Sequence, residues 1–181
     1  MKKFFLVAIT ILIASTLVFT SCVKPEKTRT ELLTQAKSWT LTAATSDPAY
    51  QLSLGAPITN LFDGYISSCE LDDYITFNAN GSQILNFGKD GSTHPCDVAQ
   101  TLKEKSLGNW SLANDDTQLQ FYFPAYEQKV TATIITLNET TLKLSLPIHE
   151  DDGVISSPNY RGPKDAKTIR DYVFTLTYTA K

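Results

Sequence analysis

The sequence predicts an all-β protein: a small antiparallel up-and-down barrel of about eight strands with a short N-terminal helix, or alternatively a β-sandwich. Three observations lead there. Segment after segment alternates apolar and polar side chains with period two, the mark of a strand with one buried face. Short turns rich in Asn, Asp and Gly separate these segments: Asn78-Ala-Asn-Gly81, Asn114-Asp-Asp116 and Asn138-Glu139. Past the first two dozen residues, no stretch has the length and 3.6-residue period of a long helix.

The chain begins with a short positive segment, Met1-Lys2-Lys3, and an apolar run from Phe4 to Phe19. That run has the length of a signal-peptide core and is shorter than the roughly 18 to 20 residues of a spanning helix. It closes on Leu17-Val-Phe-Thr-Ser-Cys22, which resembles the lipobox of bacterial lipoproteins. The resemblance implies that residues 1–21 are a signal peptide and that Cys22 is the first mature residue, carrying a diacylglycerol and an acylated (palmitate-type) amine. Several acyl chains hold a protein on a membrane far more firmly than one. Val23, in place of an Asp, points to the outer membrane, with the periplasmic or cell-surface face left open. An ordinary secretory peptide with an incidental Cys22 is the alternative. Residues 22–29 then form a lipidated tether and residues 30–181 one domain, long enough for a real core.

Thr30 to Ala36 is expected to form one or two helical turns with Thr30 as N-cap. Lys37 to Ala43 alternates, with Trp39, Leu41 and Ala43 on one face. Residues 44–72 read as irregular around Pro48, Gly55, Pro57 and Gly64, apart from a helical turn near Ile58–Phe62. A hairpin follows, Asp73–Phe77 and Gln83–Phe87, with Ile75 and Phe77 on one side. After a polar loop over residues 88–106, Trp110-Ser-Leu112 repeats the pattern of Trp39-Thr-Leu41. Gln118–Phe123 sets Leu119, Phe121 and Phe123 on one face. Gln128–Leu137 is rich in Thr, Ile and Val, and Thr141–Leu146 alternates cleanly. A third loop over residues 147–168 leads to a last strand, Ile169–Ala180, that sets Tyr172, Phe174, Leu176 and Tyr178 against Val173, Thr175 and Thr177.

This order, with Trp39, Cys69, Asp72, Asp73, Phe77, Asn80, Gly81, Cys96, Trp110 and Leu112 as matching positions, resembles the lipocalin-like lipoproteins abundant in Bacteroidota. The likeness covers residues 30 to 180 and implies the barrel fold and an envelope location, but little about activity. The Gly-x-Trp entry of true lipocalins is Lys37-Ser-Trp39 here, which weakens any inference of their ligand binding.

The residues that carry chemistry are few. With Cys22 lipidated, Cys69 and Cys96 are the two cysteines left for an oxidising compartment, and a disulfide is the simplest outcome. Closing that loop stabilises the fold by about 3 kcal/mol on the chain-entropy model. His94 and His149 stand apart without zinc-ligand spacing, and Asp72-Asp73 and Glu150-Asp-Asp152 lack a calcium-loop pattern, so no metal is expected. No nucleophile elbow, phosphate loop or dinucleotide fingerprint appears, so neither a cofactor nor catalysis is expected. The chain carries 16 basic and 19 acidic residues, a mildly acidic balance that argues against a nucleic-acid partner. Tyrosines suit recognition, since the ring offers apolar area and a hydroxyl. Tyr50, Tyr65 and Tyr160 in the long loops, and Tyr122 and Tyr126 near the end of the Gln118–Phe123 strand, are the candidate contacts, with packing beneath loops as the alternative. Besides the membrane reached through its lipid, two partners remain: a small apolar or amphipathic molecule in a barrel, or a surface protein docked on loops 44–68, 88–106 and 147–168 of a closed-core subunit.

Overall fold

Thr28 opens the first ordered element through a reciprocal cap. Its hydroxyl accepts from Glu31 N at 3.2 Å, and the Glu31 carboxylate accepts from Thr28 N at 2.7 Å. Both orphan donors at the helix start are satisfied, so helix α1 runs Arg29–Gln35 and the cap lies two residues before the expected Thr30. The structure, a computed structural model, describes residues 25–51, 56–66, 70–87, 104–123, 128–151, 154–156 and 169–181. Residues 1–21, Cys22, Cys69, Cys96, Tyr126 and Tyr160 lie outside the described residues.

Among the described residues ten strands follow: β1 Trp39–Tyr50, β2 Ile58–Asn60, β3 Tyr74–Phe77, β4 Ser82–Asn86, β5 Glu104–Ala113, β6 Gln118–Phe123, β7 Gln128–Leu137, β8 Thr141–Asp151, β9 Val154–Ser156 and β10 Ile169–Ala180. A 3-10 turn, Leu61–Asp63, follows β2 where a helical turn over Ile58–Phe62 was expected. Neighbours pair antiparallel in the order β10-β1-β3-β4-β5-β6-β7-β8, and β10 pairs β8 as well, which closes a ring of eight strands. The barrel, not the sandwich, is the fold. The short β2 and β9 lengthen the sheet along β1 and β8.

Three strands outrun the expected bounds, and β5 does so by starting at Glu104, inside the loop expected over residues 88–106, where Glu104 to Ser106 pair with Asn86 to Ile84 of β4. β1 continues to Tyr50 through Pro48, which sits just past the last β1–β10 pair, Asp47↔Val173, where a missing N–H costs that ladder nothing. β8 continues through Pro147 to Asp151; Pro147 falls between the last β7 pair, at Ser145, and the first β9 pair, at His149. The face assignment of β1 also needs correcting. A bulge between Leu41 and Ala43 shifts the register, so Ala44 is buried and Ala43 exposed, and the Thr42 hydroxyl donates to Thr177 O at 3.2 Å.

The two ends of the barrel differ. Tight hairpins gather with α1 at one end. Gly81, at φ 83°, completes the Asn78–Ser82 turn, and Asn114, Asp115 and Asp116 all take positive φ, which Asn and Asp tolerate best. Asn138 Oδ1 accepts from Thr140 N and Thr141 N. Leu33 of α1 is fully buried against Trp39, whose indole N–H donates to Leu33 O at 2.9 Å. Around them pack Phe77, Trp110, Leu119, Ala132, Ile134, Leu142 and Leu144, which make the floor of the barrel. Each such side chain contributes about 1.5–3 kcal/mol by leaving water. A second cluster, Ala44, Tyr50, Leu61, Tyr172 and Phe174, lies toward the other end, and Leu146 and Leu176 touch both clusters.

Candidate functional site

Strand direction places the ends of β1, β4, β6 and β8, and the starts of β3, β5, β7 and β10, at the end opposite α1. The connections expected to carry recognition therefore leave from one rim. Two of the sequence-predicted tyrosines meet there. Tyr50, the last residue of β1 and not a loop residue, sets its ring 5.0 Å from Tyr65, 5.0 Å from Tyr172 and 5.7 Å from Phe174, all near edge-to-face. Tyr65 also meets Phe174 at 5.5 Å. Tyr50 keeps only 7% of its surface while Tyr65 keeps 39%, so Tyr50 is a packing residue that presents Tyr65. Tyr122 stands apart on the outer wall, 43% exposed and paired across strands with Lys129.

Beside this cluster an open cleft of about 340 Å³ is lined by Pro48, Ala49, Gln51, Asp171 and Tyr172. Asp171 Oδ1 lies 2.6 Å from His149 Nδ1, a pair across β8 and β10 that a linear reading, with His149 assigned to a loop, had no means to find.

The inner face of the barrel is the second feature. Directly opposed residues of an antiparallel pair share a face, so register alone assigns the lining. Leu41, Leu112, Phe121, Leu146, Leu176 and Tyr178 all face inward yet stay partly accessible, while Leu119, Leu142 and Leu144 are sealed. In a closed ring an inward side chain draws accessible surface only from the lumen or its mouths. Tyr178 is desolvated nonetheless, and burial pushes its phenol up to about 12, so it remains a neutral hydroxyl.

Besides Ser46, which opposes Phe174, a second polar residue faces inward and was missed by the sequence reading. Gln83 on β4 opposes Phe77 on one side and Gly108 on the other, and is 1% exposed. Neither Nε2 nor Oε1 of its amide has a hydrogen-bond partner. Counting back across the Asn78–Gly81 turn from Phe77 was the available signal. Among the described residues no group of three or more His, Cys, Asp or Glu side chains gathers to hold a metal ion, and no helix is long and apolar enough to cross a membrane.

A closed ring of eight antiparallel strands, with α1 at one end and its long connections at the opposite rim, defines the class of small β-barrels. The sequence matches the family model of the lipocalin-like domain over residues 36–144, more than half of the chain, and the chain belongs to that family. The family consists in general of binding proteins and not of enzymes. No curated protein and no solved structure matches.

Proposed function

We propose that this chain is a non-catalytic binding module of the cell envelope, held on the outer membrane by lipid at Cys22, whose barrel takes up a small apolar or amphipathic ligand from the rim opposite α1. The observation that carries the reading is the inner face: Leu41, Leu112, Phe121, Leu146, Leu176 and Tyr178 retain accessible surface beside the sealed Leu119, Leu142 and Leu144. An apolar ligand in such a lumen is stabilised by the area it removes from water, about 25 cal/mol per Å². The lipobox-like Leu17–Cys22 supports the anchor, and the pairing of Cys69 with Cys96 fits the same oxidising compartment.

Native mass spectrometry after incubation with an extract of the source cells tests the binding. A stable adduct at one per chain is expected, and its mass names the ligand's chemistry. A bare mass under conditions that preserve known barrel–ligand complexes sinks the reading. Non-reducing mass mapping that finds free thiols at Cys69 and Cys96 sinks the disulfide.

A second reading has its own support. The Tyr50–Tyr65–Tyr172–Phe174 cluster fills the rim side of the barrel and leaves Tyr65 on the surface. This suits a subunit with a closed core that docks onto a surface protein through its loops. Crosslinking that traps a partner through Tyr65, together with a ligand-free lumen, would favour it.

A further inference from the structure

Gln83 is a costly residue to leave as it stands. An amide offers two donors and an acceptor, and burying them unmet is unfavourable, so native proteins nearly always supply partners. Here both amide heavy atoms are without one and the side chain is 1% exposed. Among the described residues, those set beside it in the ladders have nothing to give it. The Trp110 indole N–H is committed to Asn78 O at 3.1 Å, Phe77 offers only its ring, and Gly108 carries no side chain. The Phe77 and Trp110 rings meet edge-on at 5.7 Å on the same face, so the amide sits in an aromatic wall. The gap left by Gly108, in the left-handed region at φ 109° and beside a bulge in the β4–β5 ladder, keeps the position opposite Gln83 free of a side chain.

We propose that Gln83 is the polar anchor of the lumen and selects ligands whose head group is uncharged and both donates and accepts hydrogen bonds, a primary amide or an alcohol, over carboxylates of equal chain length. This rests on the lumen reading above. An amide or hydroxyl satisfies Nε2 and Oε1 together. A carboxylate accepts only, so it meets Nε2, orphans Oε1 and carries a charge into a wall whose paired positions, Phe77 and Gly108, hold no cation. The elevated Tyr178 phenol shows the same disfavour of anions elsewhere on the inner face. Because Gln83 is sealed, the head group reaches it as neighbouring rings part. Phe121, partly accessible and 6.3 Å from Phe77, is the ring placed to move.

The test uses the purified protein and a neutral apolar fluorophore, N-phenyl-1-naphthylamine, displaced by decanamide, decan-1-ol or decanoate at about pH 8, well above the ordinary carboxyl pKa of about 4.3. Decanamide and decanol are expected to displace the probe at concentrations about tenfold or more below decanoate, a ratio suited to a site whose buried amide is met or left unmet. Gln83→Met should weaken displacement by decanamide and decan-1-ol and so narrow, without abolishing, their advantage over decanoate, whose charge stays disfavoured in an apolar wall, and leave the melting temperature unchanged or higher. Equal displacement by all three in the wild type overturns the assignment while leaving the lumen reading standing. A lower melting temperature in Gln83→Met with the ratio unchanged makes Gln83 structural and also overturns it. Should Gln83→Met fail to fold, Gln83→Leu takes its place, and a ratio unchanged in that variant overturns the assignment. Failure of the probe to bind, with no response of Trp110 fluorescence, overturns the lumen reading itself and the anchor with it.

Discussion

The α1 end and the rim of this barrel use similar residues to opposite effect. At the α1 end the cap and the indoles are tied by short-range partners: Thr28 and Glu31 cap the helix, Trp39 and Trp110 give their indole N–H groups to backbone carbonyls, and Lys27 pairs with Glu139 at 2.5 Å, while the Gln83 amide is the exception. At the rim, aromatic rings pack on one another and leave Tyr65 partly in water. The difference teaches where stability and recognition are separated. A floor built of sealed side chains lets the other end present accessible apolar surface without unfolding the sheet, a division expected of proteins that bind through loops on a rigid scaffold.

Truncation at the two ends should break the comparison most sharply. Trp39→Ala removes a fully buried ring from the floor together with its hydrogen bond, and is expected to cost about 3–5 kcal/mol in denaturant-induced unfolding. Tyr65→Ala at the rim removes a ring that is 39% exposed and should cost about 1–3 kcal/mol, the scale of its two aromatic pairings with Tyr50 and Phe174. Equal losses would show that the rim is as integral to the fold as the floor. A smaller effect is expected at the turn that joins β3 to β4. Gly81 has φ 83°, so Gly81→Ala should cost about 1 kcal/mol, with the added methyl 3.5 Å from Trp110 O and free of a clash.

Much of the fold was legible because hairpin alternation survives in the linear chain. Gln118–Phe123, Gln128–Leu137 and Ile169–Ala180 lie where their patterns put them, and the barrel and its helix followed from their number. What escaped are features fixed by partners distant in sequence. The bulge at Thr42 is held by Thr177, so local alternation put Ala43 inward where Ala44 belongs. Pro48 and Pro147 read as breakers because nothing local reveals that a strand edge goes unpaired beside them. The candidate site was half legible. Tyr50 and Tyr65 were named and do converge, but Gln83 looked like an ordinary strand residue until Phe77 and Gly108 were set against it.

The smallest effect sharpens the comparison at the α1 end through pH. Glu31 has its carboxyl held below the ordinary value near 4.5, first by the backbone N–H of Thr28 and then by that residue's hydroxyl, with Lys27 adding a minor attraction. A carboxyl depressed in the folded state binds fewer protons folded than unfolded. Its contribution is therefore present above the unfolded pKa and fades as pH falls through the lowered folded one. Glu31→Gln keeps a side-chain acceptor for Thr28 N but cannot ionise. The stability gap between wild type and this variant should be open at neutral pH and close as pH drops below about 4, when followed by urea unfolding. Thr28→Ala, which removes the other half of the cap, should cost about 1 kcal/mol at neutral pH. A gap that stayed constant down to pH 3 would mean that the Glu31 charge adds nothing to the cap, and that the α1 end is held by the packing of Leu33 and Trp39 alone.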